Sequence, residues 1–240
     1  MNLIQHIKHS LKIFLKERKN THLLNFKKSY SQCGEDLIVR FIFDQLKISS
    51  PSYIDIGAHH PYVISNTSSL YLNGSKGVNI EPNPPFFDLF TKERPNDINL
   101  NIGVSDKEQK LEYFEFNEPA LNTFSKDERD NLIKEGKTLT ATKIVSTNNL
   151  AFVIGNYCNN LFPNFLSLDV EGYDMVVLNQ IDFEKNYPMV ICVETISFSA
   201  KGNGLKNKEL IDFLISKGYF LHSDTYINSV FVKKDVWDNK

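Results

Sequence analysis

Cysteine is scarce in this sequence and poorly placed for thiol chemistry. Cys33, Cys158 and Cys192 are the only three in 240 residues. Odd in number and far apart, they form no disulfide framework and no metal-ligand spacing, so free buried thiols in a reducing compartment are expected. A basic excess is also missing. The 27 Lys and Arg face 29 Asp and Glu, for a formal net charge of -2, which argues against nucleic acid as a partner. Long apolar runs are missing as well. In residues 1–28 the longest is Ile13-Phe14-Leu15, too short for a transmembrane span or the core of a secretion signal. Arginine is limited to Arg18, Arg40, Arg94 and Arg129, while Asn, Lys and Ile are abundant. That bias points to an AT-rich bacterial genome.

Glycine is absent where a phosphate loop would need it. Tyr53-Ile54-Asp55-Ile56-Gly57-Ala58 reads as an apolar strand ending in an acid and a glycine, and Gly77-Val78-Asn79-Ile80-Glu81 repeats the pattern further on. Two such strands around a helix make a βαβ unit with a nucleoside pocket at its carboxyl edge. The turn Asp55-Ile56-Gly57-Ala58-His59-His60-Pro61 has one glycine and a proline. It lacks the three-glycine turn of dinucleotide folds and the Gly-Lys-Ser/Thr ending of a P-loop. The turn suits a nucleoside ligand without phosphate, such as S-adenosylmethionine (SAM), with Glu81 accepting both ribose hydroxyls. The missing glycines and the absence of a Tyr-x-x-x-Lys pair argue against an NAD-dependent sugar enzyme.

At 240 residues the chain suits one large α/β domain. Residues 1–28 stand apart: seven Lys/Arg face the single acid Glu17, and Leu3, Ile4, Ile7, Leu11 and Phe14 recur at helical spacing. This is a basic amphipathic helix, packed on the domain or a second subunit, or lying on an anionic membrane surface. Residues 29–240 form the expected domain. A capped helix is expected over 37–43, strands over 53–56, 78–80, 98–104, 165–170 and 189–194, and an antiparallel closing pair over 219–222 and 226–232. Residues 111–145 break the rhythm. Strands over 111–116 and 138–145 flank a polar loop or helix, a lid or substrate-binding insertion. Continuous apolar strands alternating with helices call for a mostly parallel sheet covered on both faces. The fold class expected is thus α/β, a Rossmann-like, mostly parallel seven-stranded sheet with an antiparallel edge hairpin.

Acids stand at the strand ends: Asp55, Glu81, Asp169 with Glu171, and Glu194. Strand ends at one edge of a parallel sheet converge, so these carboxylates are expected as neighbours. Carboxylates so gathered repel unless a cation, a ligand or a proton separates them, which makes Asp169, Glu171 and Glu194 candidate ligands for a divalent metal. Hydrogen bonds to a cofactor amine or a sugar would serve instead. Asp169 and Glu171 also sit where a substrate hydroxyl would meet a methyl donor, or they cap a helix and fill its first turn. His59 or His60 could act as general base or metal ligand, or simply shape the loop. Ser105 and Asp106 fall where an adenine would be read, or in a surface turn. His222 and Asp224 are weaker candidates.

Taken in order, five segments resemble the FkbM-type SAM-dependent methyltransferases. They are Ser31-Gln32-Cys33-Gly34-Glu35-Asp36; Asp55 to Pro61 with Ser65-Asn66-Thr67; Asn79-Ile80-Glu81-Pro82-Asn83; Leu168-Asp169-Val170-Glu171-Gly172; and Val193-Glu194. The resemblance spans about residues 30–232 and implies a class I methyltransferase fold and O-methylation, commonly of sugar hydroxyls. By position it implies Asp55 and Gly57 at the methionine end of SAM, Glu81 at the ribose, and Ser105 and Asp106 at the adenine. Gln32 and Asn66 would lie near the methionine end or the reaction centre, and Asp169 and Glu171 at methyl transfer. Many members carry Asn and Gly where this chain has His59 and Pro61.

The leading expectation is an O-methyltransferase acting on a sugar or nucleotide-sugar hydroxyl and leaving S-adenosylhomocysteine (SAH). It would serve bacterial surface polysaccharide biosynthesis, in the cytoplasm or at the inner face of the membrane, as a monomer or homo-oligomer. Tyr113, Phe114, Phe116 and Phe124, beside Asn117, Asn122 and Thr123, would suit a carbohydrate acceptor or the core of the added strands. The alternatives are a non-catalytic SAM-binding or interaction domain, and a methyltransferase for a non-sugar natural product.

Overall fold

The computed structural model describes residues 27–199 and 203–240, so the amphipathic helix expected over residues 1–28 lies almost wholly outside the described residues. Seven strands form the main sheet: β1 (Tyr53–Ile56), β2 (Gly77–Ile80), β3 (Ile98–Leu100), β7 (Phe165–Leu168), β8 (Val190–Glu194), β9 (Tyr219–Asp224) and β10 (Asn228–Lys233). Their order is β3-β2-β1-β7-β8-β10-β9. The first five are mutually parallel, while β10 runs antiparallel to both β8 and β9. This is the expected mostly parallel sheet with its closing hairpin.

The pleat explains why the strands read as continuous apolar runs. In register, Tyr53 lies beside Phe165, which lies beside Val190; one residue on, Ile54 lies beside Leu166 and Ile191. Successive side chains point to opposite faces. Tyr53, Phe165 and Val190 pack with Val39, Ile42 and Phe43 of α1 (Glu35–Gln45) and Leu70 of α2 (Ser68–Leu72). Ile54, Leu166 and Ile191 pack on the other face. There they meet Val153 and Ile154 of α5 (Leu150–Tyr157), Val177 of α6 (Asp174–Leu178) and Leu210 and Leu214 of α7 (Lys208–Ser216). Each such aliphatic side chain contributes about 1.5–3 kcal/mol on burial, so neither face can be left uncovered.

The middle of the chain departs from the expected pattern. A single strand over 98–104 is expected, but the chain splits after β3, and β4 (Gly103–Val104) joins a second sheet. That sheet has the order β4-β6-β5, with β5 (Gln109–Phe116) antiparallel to β6 (Leu139–Asn148). The polar stretch between them holds a short 3-10 turn at Pro119–Leu121 and α4 (Lys126–Lys134), capped by the Ser125 hydroxyl. Phe114, Phe116, Leu121 and Leu132 form a separate small core there. The helices α3 (Pro84–Glu93) and α8 (Lys234–Asp238) complete the domain.

Two smaller expectations need correction. The helix expected to be capped begins after Gly34, which has φ +94° and no capping side chain; the Ser31 hydroxyl and the Asp36 carboxylate bind that loop's amides and hydroxyls instead. All three cysteines are free, but only Cys192 is buried; Cys158 is half-buried and Cys33 exposed.

Candidate active site

The sheet reverses direction of growth between β1 and β7, since the chain leaves β1 toward β2 and leaves β7 toward β8. A crevice opens at the carboxyl ends of strands on either side of such a reversal. Two adjoining cavities with open mouths occupy it; counting the solvent at their mouths, they hold about 780 Å³ and about 1010 Å³ of empty space. Asp169, Glu171 and Ala120 line both.

The first cavity is built on the β1 turn. Gly57 has φ +78°, and a Cβ there would stand 1.7 Å from the Asp169 carbonyl oxygen. Only glycine permits the β1 and β7 ends to approach so closely. The Gly57 and Ala58 amides donate to the Ile80 carbonyl, and the Asp169 amide to that of Ile56. Asp55 lies beneath, its Oδ2 accepting from the Thr67 hydroxyl at 2.6 Å. Burial pushes its carboxyl up, against the pull of the Thr67 hydroxyl and the Arg94 cation. Asn66 Nδ2 reaches the Ser167 hydroxyl at 3.3 Å on the cavity wall. The other wall is Pro82, Ile102, Gly103, Val104, Tyr113 and Phe124. Phe124 packs against Tyr113, the rings tilted 44° with centroids 4.7 Å apart, so the second sheet and its loop supply an apolar slot of a kind that suits a purine face.

Behind the cavity lies an element the motifs did not signal. Arg94 is fully buried. It donates to Thr67 and to the Asn79 side-chain oxygen, and its Nε stands 3.8 Å from Asp97. Asp97 in turn accepts from the Tyr53 hydroxyl, the Gly77 amide and Asn79. Only the scarcity of arginine marked this residue in the sequence.

Glu81 is buried, and both its oxygens accept backbone amides, His59 at 2.7 Å and Asn83 at 2.7 Å. Each oxygen keeps a second lone pair, so the turn holds the carboxylate in place for further donors. Burial pushes its carboxyl up to about 8, against the pull of those amides. His59 (φ +53°) lines the cavity and packs on Phe86 at 4.4 Å, and its buried Nδ1 has no hydrogen-bond partner. His60 shapes the loop: its Nδ1 accepts from the Tyr62 and Val63 amides. Ser105 is buried against Thr147 and the Lys107 carbonyl, and Asp106 accepts from Gln109; neither lines either cavity. His222 packs against Trp237 and Phe220, and Asp224 pairs with Lys206, both on the hairpin.

Asp169, Glu171 and Glu194 are brought together, with one ligand oxygen from each within 4.8 Å of the others. Glu171 is not in a helix; it has φ +50°, α6 begins at Asp174, and its carbonyl accepts from Thr123 of the second sheet's loop at 2.7 Å. That removes the helix-cap reading of this pair. Burial, then repulsion from neighbouring carboxylates, raises Asp169 to about 7 (Asp174 and Asp55 nearby) and Glu171 and Glu194 well above the carboxylate range (Glu194 and Asp169 beside Glu171, Asp169 and Asp174 beside Glu194). Beyond them the second cavity is lined by Gln32, Leu121, Ile196, Phe198, Tyr226 and Ile227. Tyr226 and Ile227 arrive there because β10 is antiparallel, which puts its start beside the end of β8, with Asn228 opposite Glu194. Of the expected lid aromatics, Tyr113 and Phe124 face the first cavity, while Phe114 and Phe116 are core.

The family described as "Methyltransferase FkbM domain" matches residues 55–221. This chain belongs to that family. Among solved structures the chain is similar to the methyltransferase FkbM from Methylobacillus flagellatus KT, at 12% identity and a TM-score of 0.44, over 77% of this chain and 44% of that one. It is also similar to a precorrin-6y C5,15-methyltransferase from Geobacter metallireducens GS-15, at 14% identity and a TM-score of 0.38, over 87% of this chain and 93% of that one. The chain spans less than half the length of the first. No curated protein sequence matches it.

Proposed function

We propose that this FkbM methyltransferase transfers the methyl of SAM to a sugar hydroxyl. The observation that carries the reading is the pair of joined cavities that meet at Asp169 and Glu171. The first suits the donor: the purine between Phe124 and Pro82, the ribose on Glu81, and the methionine end beside Gly57, Asn66 and Asp55. The second suits the acceptor, because the Phe198 and Tyr226 rings can cover sugar CH groups while Gln32, Ser197 and the acids bind hydroxyls. In the reaction a hydroxyl oxygen attacks the methyl carbon, the C–S bond breaks with its electron pair staying on sulfur, and the hydroxyl proton passes to a carboxylate of the cluster. Positioning supplies most of the acceleration, since oxygen, carbon and sulfur must lie in line. A nucleotide sugar or polysaccharide precursor in a bacterial cytoplasm is the proposed setting. Among the described residues no helix is long and apolar enough to cross a membrane.

The test is calorimetric titration with SAH, followed by SAH release on incubation with SAM and a panel of nucleotide sugars. Binding is expected for the wild type and lost in Glu81→Ala. Asp169→Asn is expected to bind SAH yet turn over no acceptor. Absence of SAH binding in the wild type would overturn the donor site, and full activity of Asp169→Asn would overturn its place at the transfer.

A further inference from the structure

The acceptor cavity continues into a smaller acidic space lined by Glu128, Glu171, Asp174 and Glu194 together with Ser197 and Asn207. Among the described residues lining either space there is no Lys, Arg or His. Lys137, which reaches the ring of Phe198, is already paired with Glu118 at 2.7 Å. The strand ends thus gather carboxyl groups in a half-buried place without a described cation to offset them, an arrangement that costs stability unless a proton or a cation separates them.

The spacing says what would bind. The oxygens of Asp169, Glu171 and Glu194 lie within 4.8 Å of one another. Oxygen ligands about 2.1–2.6 Å from a divalent cation stand about 3–5 Å from one another, neighbours at the short end and opposite ligands at the long end. The three donors are therefore close enough to share one cation. All are hard oxygens, and no thiol or imidazole stands among them, which suits Mg²⁺, Mn²⁺ or Ca²⁺ rather than a soft metal. An independent observation comes from Asp174. Its side chain is only 7% exposed, lines the same acidic space, and leaves Oδ1 without a hydrogen-bond partner. A buried carboxylate oxygen so placed lacks a donor, and a water on a bound cation would provide one.

We infer that Asp169, Glu171 and Glu194 bind a divalent, oxygen-seeking cation, with Asp174 accepting from a water in its shell. The binding stands on the cluster alone. Its purpose rests on the methyl-transfer reading: a cation here would fix an acceptor hydroxyl beside the methyl donor and acidify it as it reacts.

The experiment is Mn²⁺ titration of the purified full chain by electron paramagnetic resonance, with Mg²⁺ as competitor and with SAH affinity measured alongside. One Mn²⁺ per chain, displaced by Mg²⁺, is expected. Glu194→Gln should weaken Mn²⁺ at least tenfold and Asp174→Asn by a smaller factor, with SAH affinity within threefold of wild type. Should Glu194→Gln fail to fold, Glu171→Gln carries the same expectation for Mn²⁺. No stoichiometric Mn²⁺ below about 1 mM, the weak end for oxygen-ligand sites, would overturn the inference, as would Mn²⁺ binding indifferent to these substitutions. Mn²⁺ binding without SAH binding would overturn the donor site instead and leave the cation site standing.

Discussion

The Thr67 hydroxyl donates to Asp55 Oδ2 at 2.6 Å while accepting from Arg94 at 3.0 Å. One small side chain thus connects a fully buried guanidinium to a carboxylate on the wall of the first cavity. Thr67→Val keeps the shape and removes the bond to Asp55 and those from both terminal nitrogens of Arg94. It leaves Arg94 and Asp55 each short of a partner, which costs about 1–3 kcal/mol per buried group. We expect a fall of several degrees in Tm and SAH binding weakened about tenfold, whereas Thr67→Ser should restore both. Calorimetry on the three proteins decides, and unchanged SAH affinity in Thr67→Val would separate Arg94 from the site.

Gly57 and Gly136 both have positive φ, at +78° and +87°, yet a Cβ at Gly57 collides with the Asp169 carbonyl and one at Gly136 meets nothing within 4 Å. Gly136→Ala should cost only the left-handed backbone penalty, about 1–2 kcal/mol. Gly57→Ala should cost more than ~3 kcal/mol or prevent folding, because β1 and β7 must part. Urea denaturation of both would show it, and equal losses would contradict the close approach.

Glu81 has a carboxyl raised to about 8, well above the unfolded value of about 4.3. Between those values the folded chain holds the proton more firmly than the unfolded chain. The contribution of Glu81 is therefore greatest at low pH and is lost as pH rises through about 8, with a slope of at most about 1.4 kcal/mol per pH unit. Asp174 and Asp169, raised to about 6 and about 7, act in the same direction. Tm of the free protein should fall from pH 5.5 to 8, less steeply in Glu81→Gln. SAH affinity should rise over the same interval if its ribose needs the ionised carboxylate. A flat profile for both would remove Glu81 from the ribose.

Two phenylalanines distinguish the proposed donor and acceptor cavities. Phe124 faces the first cavity and Phe198 the second. Phe124→Ala should weaken SAH by about 1–2 kcal/mol, or roughly 5- to 30-fold, since a ring stacked on a base contributes about that much. Phe198→Ala should leave SAH affinity alone and raise the KM for the acceptor about tenfold. A reversed pattern in steady-state kinetics would exchange the two roles.

The sequence by itself determined the parallel sheet, its hairpin and the acids at its edge, because these depend on local order. A strand buried on both faces must be apolar throughout, and a parallel strand must end where its crossover begins. Asp55, Asp169, Glu171 and Glu194 were readable in that way. Only the tertiary structure decided what each acid meets. The split after Leu100, which sends Gly103 and Val104 to a second sheet, depends on pairing with Thr147 and Asn148 far along the chain. That pairing brings Gly103 and Val104 beside Tyr113 and Phe124 in the apolar slot and sets the Ser105 hydroxyl against Thr147. Phe198 and Tyr226 enter the acceptor cavity through loop geometry and an antiparallel turn, for which no local period exists. Arg94 found its role by burial, where a cation must be surrounded by acceptors drawn from three separate segments of chain.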